Sequence, residues 1–196
     1  MLGVGLGIDC AQQLSRSQIK ALAQAGCGFV CRYVTGTPGS TLTRLEAEVI
    51  SSAGLGIVSV FETRGDHAGY FTASQGTADG IAAAANAFAA GQTGGHIFAA
   101  VDFDVQIGEI PAVRQYMEAF AVALGSHYPA GIYGSRILDS LGYPLWQAIA
   151  WSGGFVSPKA RIVQSLVNVT YAGVRPVDVD VAMQPLHDLG WHLTHP

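Results

Sequence analysis

The feature of this chain that most limits its folds is a regular exchange between short apolar runs and longer helical patterns. "VGLGID" (4–9) reads as a strand and is followed by "SRSQIKALAQAG" (15–26), in which Ser15 fits an N-cap and Gly26 a stop. "GFVCRYV" (28–34), "LGIVSVFE" (55–62), "HIFAAVDFD" (96–104) and "PAGIYG" (129–134) read as further strands. The intervening "TRLEAEVISSAG" (43–54), "SQGTADGIAAAANAFAAG" (74–91) and "EIPAVRQYMEAFAVALG" (109–125) read as helices that end on glycine. A short helix is expected near 135–142. "QAIAWS" (147–152), "ARIVQS" (160–165) and "PVDVDVA" (176–182) are expected strands with little helix between them.

Strands alternating with helices imply βαβ units and a parallel sheet. Roughly eight strands, the first five clearly separated by helices, close most simply into a small (β/α)8 TIM barrel with trimmed helices in its second half. The competing architecture is an open doubly wound sheet, usually of five or six strands. With 196 residues, 49% of them hydrophobic and 12% charged, the chain suits one globular domain over 1–196 and not disorder.

The formal net charge of -4 and the absence of any Lys/Arg cluster argue against a nucleic-acid partner. No apolar stretch is long enough to span a membrane, and the opening "MLGVGLGID" lacks the basic segment of a signal peptide. A cytoplasmic protein, an exported one and a phage lysin are all compatible with that, and the oligomeric state is unspecified. Cys10, Cys27 and Cys31 read as small buried hydrophobes, not a disulfide framework or a zinc site. No cofactor is expected. "NVT" (168–170) matches a glycosylation sequon, read as accidental; His187, His192 and His195 read as a solvated tail, and His67 falls in a loop after the third strand.

Catalytic groups of such barrels sit at the C-terminal ends of strands. The expected strand ends here carry Asp9, Arg32, Glu62, Asp102 with Asp104, Tyr133, Trp151, Gln164, and Asp178 with Asp180. Four strands thus deliver a carboxylate to one rim. Asp102 and Asp104, at i and i+2, would share a face roughly 6–7 Å apart. Carboxylates that close raise at least one pKa, and a protonated acid beside an ionised partner is what glycoside cleavage requires. Helix capping at Asp102 and Asp104, or Mg²⁺ or Ca²⁺ held by the two Asp pairs, are the alternatives. Tyr33, Tyr133 and Trp151 could stack on apolar sugar faces. Arg32, a cation inside a strand, needs a carboxylate partner, for which Asp9 or Glu62 is the natural choice.

The ordered set "GIDC", "GFVCRYVTG", "GIVSVFET", "FAAVDFD", "GIYGS", "IAWSGG" and "PVDVDVA" resembles a glycoside-hydrolase-like family of bacterial and phage barrels, long classed as a domain of unknown function and related to the glycoside hydrolase family 25 muramidases. The resemblance runs from Gly7 to about Met183 and implies an eight-stranded barrel with a groove for a polysaccharide such as peptidoglycan. It matches Asp9 to the muramidases' first-strand Asp, Asp102 and Asp104 to their strand-four Asp-x-Glu, and Asp178 and Asp180 to their last-strand motif. Asp104 stands where the muramidases carry their general-acid Glu, one methylene too short. The resulting expectation is a glycosidase acting on a cell-wall polysaccharide, with Asp104 as acid, Asp102 as its partner and Glu62 and Asp9 as supporting or alternative carboxylates. Arg32, Tyr33, Tyr133, Trp151, Gln164, Asp178 and Asp180 would line the groove. Its rivals are a binding barrel that holds glycan without cleaving it and a metal-dependent hydrolase.

Overall fold

The computed structural model describes residues 5–193. Val4, expected at the head of the first strand, and His195, expected in a tail, lie outside the described residues.

The elements follow in the order β1 (Leu6–Asp9), α1 (Arg16–Gln24), β2 (Phe29–Tyr33), α2 (Arg44–Ser52), β3 (Gly56–Phe61), α3 (Ala73–Ala89), β4 (Ile97–Val101), α4 (Ile110–Leu124), β5 (Ala130–Gly134), β6 (Leu145–Gln147), β7 (Ala160–Tyr171) and β8 (Val174–Ala182). The strands close into a barrel in chain order. Local chemistry starts the helices where the sequence places them. Ser15 caps α1 in a reciprocal box with Gln18, and the Thr43 and Thr72 hydroxyls accept from the backbone of Glu46 and Gln75 at the heads of α2 and α3.

Four expectations need correction. The barrel is not parallel throughout: β1 to β7 run parallel to one another, but β8 is antiparallel to both β7 and β1. β7 is twice the expected length and turns straight back into β8 through Ala172 and Gly173, both at positive φ (50° and 79°), so no crossover helix exists there. The sixth strand is Leu145–Gln147, so residues 148–152 form a turn after the strand. The C-terminal segment is no solvated tail. Leu186 and Leu189 are buried beneath the barrel, and Trp191 bridges to Ile57.

Strand parity sorts the core. Phe29, Cys31, Val58, Val60, Phe98, Ala100, Trp146 and Ile162 form the barrel's interior together with Leu186 and Leu189. The alternate residues, among them Val30, Ile57, Ile97, Ala99 and Ile132, face the helices. The Phe29 and Phe98 rings fit only because Gly7 and Gly131 have no side chain; a Cβ there would come within 2.3 Å and 2.6 Å of the rings.

Candidate functional site

The inward parity continues upward to the rim. On β2 it runs from Phe29 and Cys31 to Tyr33, on β3 from Val58 and Val60 to Glu62, and on β4 from Phe98 and Ala100 to Asp102. Tyr133 of β5, Trp146 of β6, Gln164 of β7 and Asp9 of β1 complete the ring. Because β8 runs backwards, its earlier residue Asp178 reaches the rim while Asp180 lies one layer deeper. These side chains, without Asp180 but with Trp151 and Val167, line a cleft of about 300 Å³ at the C-terminal end of the parallel strands.

The lining contains four carboxylates and no cation. Burial, then the neighbouring charge of Asp102, pushes Glu62 up to about 7, with a hydrogen bond from Tyr33 opposing the rise. Burial, then Asp178, pushes Asp9 up to about 7, against the pull of its bond from Gln164. Asp102 is raised by burial, then by Asp66 and Asp178. Asp180 is fully buried and raised well above the carboxylate range by burial and by Asp9. The Trp146 indole donates to Asp180 Oδ1 at 2.8 Å. Asp180 Oδ2 finds no donor among the described residues.

Hydrogen bonds fix the ring. Gln164 Nε2 donates to Asp9 at 3.0 Å and to Asp178 at 2.8 Å, and its Oε1 accepts from the Tyr133 hydroxyl at 3.1 Å. The Asn168 amide holds the other oxygen of Asp178 at 2.6 Å. The Asp102 amide donates to Gly65 O at 2.7 Å, stitching the loop after β3 to the end of β4. That loop is anchored in turn on α3, where the Tyr70 hydroxyl donates to Asp79 at 2.5 Å.

Of the residues expected at the site, Asp9, Tyr33, Glu62, Asp102, Tyr133, Trp151, Gln164 and Asp178 meet in the cleft. Asp180 supports it from below. Arg32 is not there. It has the opposite parity to Tyr33, so it is buried on the barrel's outer face and pairs with Glu46 at 2.9 Å, not with Asp9 or Glu62. Its guanidinium also donates to the carbonyls of Cys10 and Ser40, tying together the loops after β1 and β2. Asp104 is exposed and outside the cleft, because β4 ends at Val101 and the i, i+2 geometry lapses beyond it. It lines an adjoining depression instead. Sequence reasoning missed Trp146, which immediately precedes the expected strand, and Asp66; an inward position on the correctly placed β6 was the available signal for Trp146. Among the described residues, no group of three or more His, Cys, Asp or Glu side chains is arranged to hold a metal ion, and no helix is long and apolar enough to cross a membrane.

A closed eight-stranded barrel with a carboxylate-lined cleft at its strand ends defines a glycoside hydrolase-like protein. The family model for the Rv2525c-like, glycoside hydrolase-like domain matches residues 20–183, and the chain belongs to that family. It is 32% identical over 145 residues to the uncharacterized protein FadG of Bacillus subtilis, covering 67% of this chain and 25% of FadG, so it spans about a quarter of that relative's length. The Mycobacterium tuberculosis Tat-secreted protein Rv2525c, solved in complex with L-tartrate, shares the fold at a TM-score of 0.82 and 24% identity, covering 94% of this chain and 98% of that one. A glycosyl hydrolase 25 of Streptococcus pneumoniae, GHIP, shares it at a TM-score of 0.59 and 12% identity, covering 91% and 86%.

Proposed function

We propose that the chain hydrolyses a glycosidic bond in a bacterial cell-wall polysaccharide of the peptidoglycan kind, with Glu62 as general acid and Asp102 as the partner carboxylate. The observation that carries this reading is Glu62 itself, a buried cleft carboxyl pushed up to about 7 beside Asp102. Such a group holds a proton near neutral pH and can pass it to the leaving oxygen, while a more exposed Asp102 supplies negative charge to the oxocarbenium-like state. Asp9 and Asp178, bridged by Gln164, orient the sugar's hydroxyls. Tyr33, Tyr133 and Trp151 supply ring faces and edges. The family 25 likeness of the fold supports a wall glycan as substrate.

The test is release of reducing ends from purified peptidoglycan by the wild type beside Glu62→Gln, Asp102→Asn and Asp104→Asn. Release that the first two variants abolish and the third retains is the expected result. A second reading, a barrel that binds glycan without cleaving it, is favoured by one observation: the position that carries the muramidases' acid is here Asp104, outside the cleft. No release by the wild type, with the protein still pelleting with cell walls, would establish it.

A further inference from the structure

The cleft does not end at Trp151. The same indole also lines a second depression of about 260 Å³, formed by the loops after β4, β5 and β6. From the proposed glycosidase reading, on which this rests, we infer that this depression is a second sugar subsite that reads a carboxylate-bearing sugar, such as the lactyl-substituted amino sugar of peptidoglycan, through Arg136.

Three independent features of the depression point to a ligand. Ser135 is buried, lines it, and its Oγ has no hydrogen-bond partner among the described residues, which leaves an unsatisfied hydroxyl in its wall. Arg136 is exposed and forms no ion pair among the described residues. Trp151, at φ 56°, is held in a backbone conformation that bulky residues rarely adopt and is 42% exposed, which keeps its ring between the two depressions.

Electrostatics decide which sugar goes where. The first depression is lined by the carboxyl groups of Asp9, Glu62, Asp102 and Asp178 and by no cation, so it offers an anionic substituent no partner. Arg136 lines the second depression and not the first. It presents the planar donor fork that matches a carboxylate. Ile107, 81% exposed in the same lining, offers an apolar surface to the methyl group of a lactyl ether. A strand of alternating neutral and acidic sugars therefore binds in one register, with the neutral unit over the carboxylates and the acidic unit over Arg136. Asp104, the other charge in this depression, weakens that grip and does not create it.

The test is calorimetric titration in the Glu62→Gln background with three tetrasaccharides: the alternating N-acetylglucosamine and N-acetylmuramic acid oligomer, its methyl ester, and the all-neutral chitotetraose. The free acid is expected to bind about tenfold more tightly than its ester, as the loss of one charge-assisted contact implies. Arg136→Gln abolishes that preference, and Asp104→Asn widens it. Equal binding of acid and ester, or a preference that survives Arg136→Gln, overturns the inference and leaves the glycosidase reading standing. Binding of none of the three overturns the wall-glycan reading, and this inference with it.

Discussion

Replacing Asp102 by Asn has a consequence for Glu62 that loss of a catalytic group alone would not produce. Glu62 rises from an ordinary 4.5 to about 7, with burial the largest cause and the charge of Asp102 the next. Asparagine keeps the shape and much of the desolvation but removes the charge. The Asp102 contribution is smaller than that of burial, so the variant lowers the pKa of Glu62 by on the order of one pH unit. For a general acid, activity declines on the alkaline side as the proton is lost. At pH 7 the wild type holds that proton on about half of its molecules, and the variant on roughly a tenth. The assay is kcat/KM for reducing-end release between pH 4 and 9. The wild type should lose activity through about 7. In Asp102→Asn the residual activity, lower at every pH, should lose its alkaline half near 6. A lowered profile with an unmoved alkaline limb would refute the coupling, and a limb unmoved by Glu62→Gln would refute Glu62 as the acid.

Three further outcomes follow from the packing. A carboxyl raised in the fold opposes folding once ionised, because the unfolded chain binds fewer protons between its ordinary pKa and the raised one. Stability should therefore fall as pH rises from 4.5 to about 7. Glu62→Gln should be inactive yet more stable by up to about 3 kcal/mol at pH 8, which a thermal melt would register as several degrees. Arg32→Met leaves Glu46 charged and buried without its partner, and urea denaturation should show a loss of about 3–5 kcal/mol. Trp151→Gly relieves the positive φ while Trp151→Ala does not. The glycine variant should thus be the more stable of the two by about 1 kcal/mol in the same assay, with both weakened in glycan binding.

Much of the architecture was legible because local signals agreed with one another. Ser15 with Gln18, Thr43 and Thr72 start helices as expected, and glycines at positive φ such as Gly26 and Gly54 end them. The second half was harder to read. "PLWQAIAW" is apolar but for Gln147, so periodicity could not place Leu145–Gln147 within it. The β7–β8 reversal turns on Ala172 and Gly173, without the Asn-Gly or Asp-Gly pair that announces a tight hairpin. In the site, the carboxylates were found from their strand ends, but two errors broke the alternation rule that found them. Arg32 and Tyr33 are consecutive in a strand and cannot both face one cleft. Asp102 and Asp104 share a face only if the strand continues past Val101, and it stops there.

The facing of Arg32 decides what chemistry the cleft can do. Had it pointed inward, a guanidinium among Asp9, Glu62 and Asp102 would have held them all ionised, and none could have donated a proton near neutral pH. Pointing outward, it neutralises Glu46 and fixes the loops after β1 and β2, so it positions the rim without suppressing its acidity. The reversal of β8 adds to this by sending Asp180 below Asp9, into a fully buried position where burial and Asp9 raise its pKa. A parallel β8 would have placed Asp180 outermost, exposed to water and ionised. One strand's facing and another's direction thus give a carboxylate ring whose lining carries no cationic side chain and whose buried members are raised toward neutrality, which suits the acid-catalysed cleavage of a glycoside proposed above.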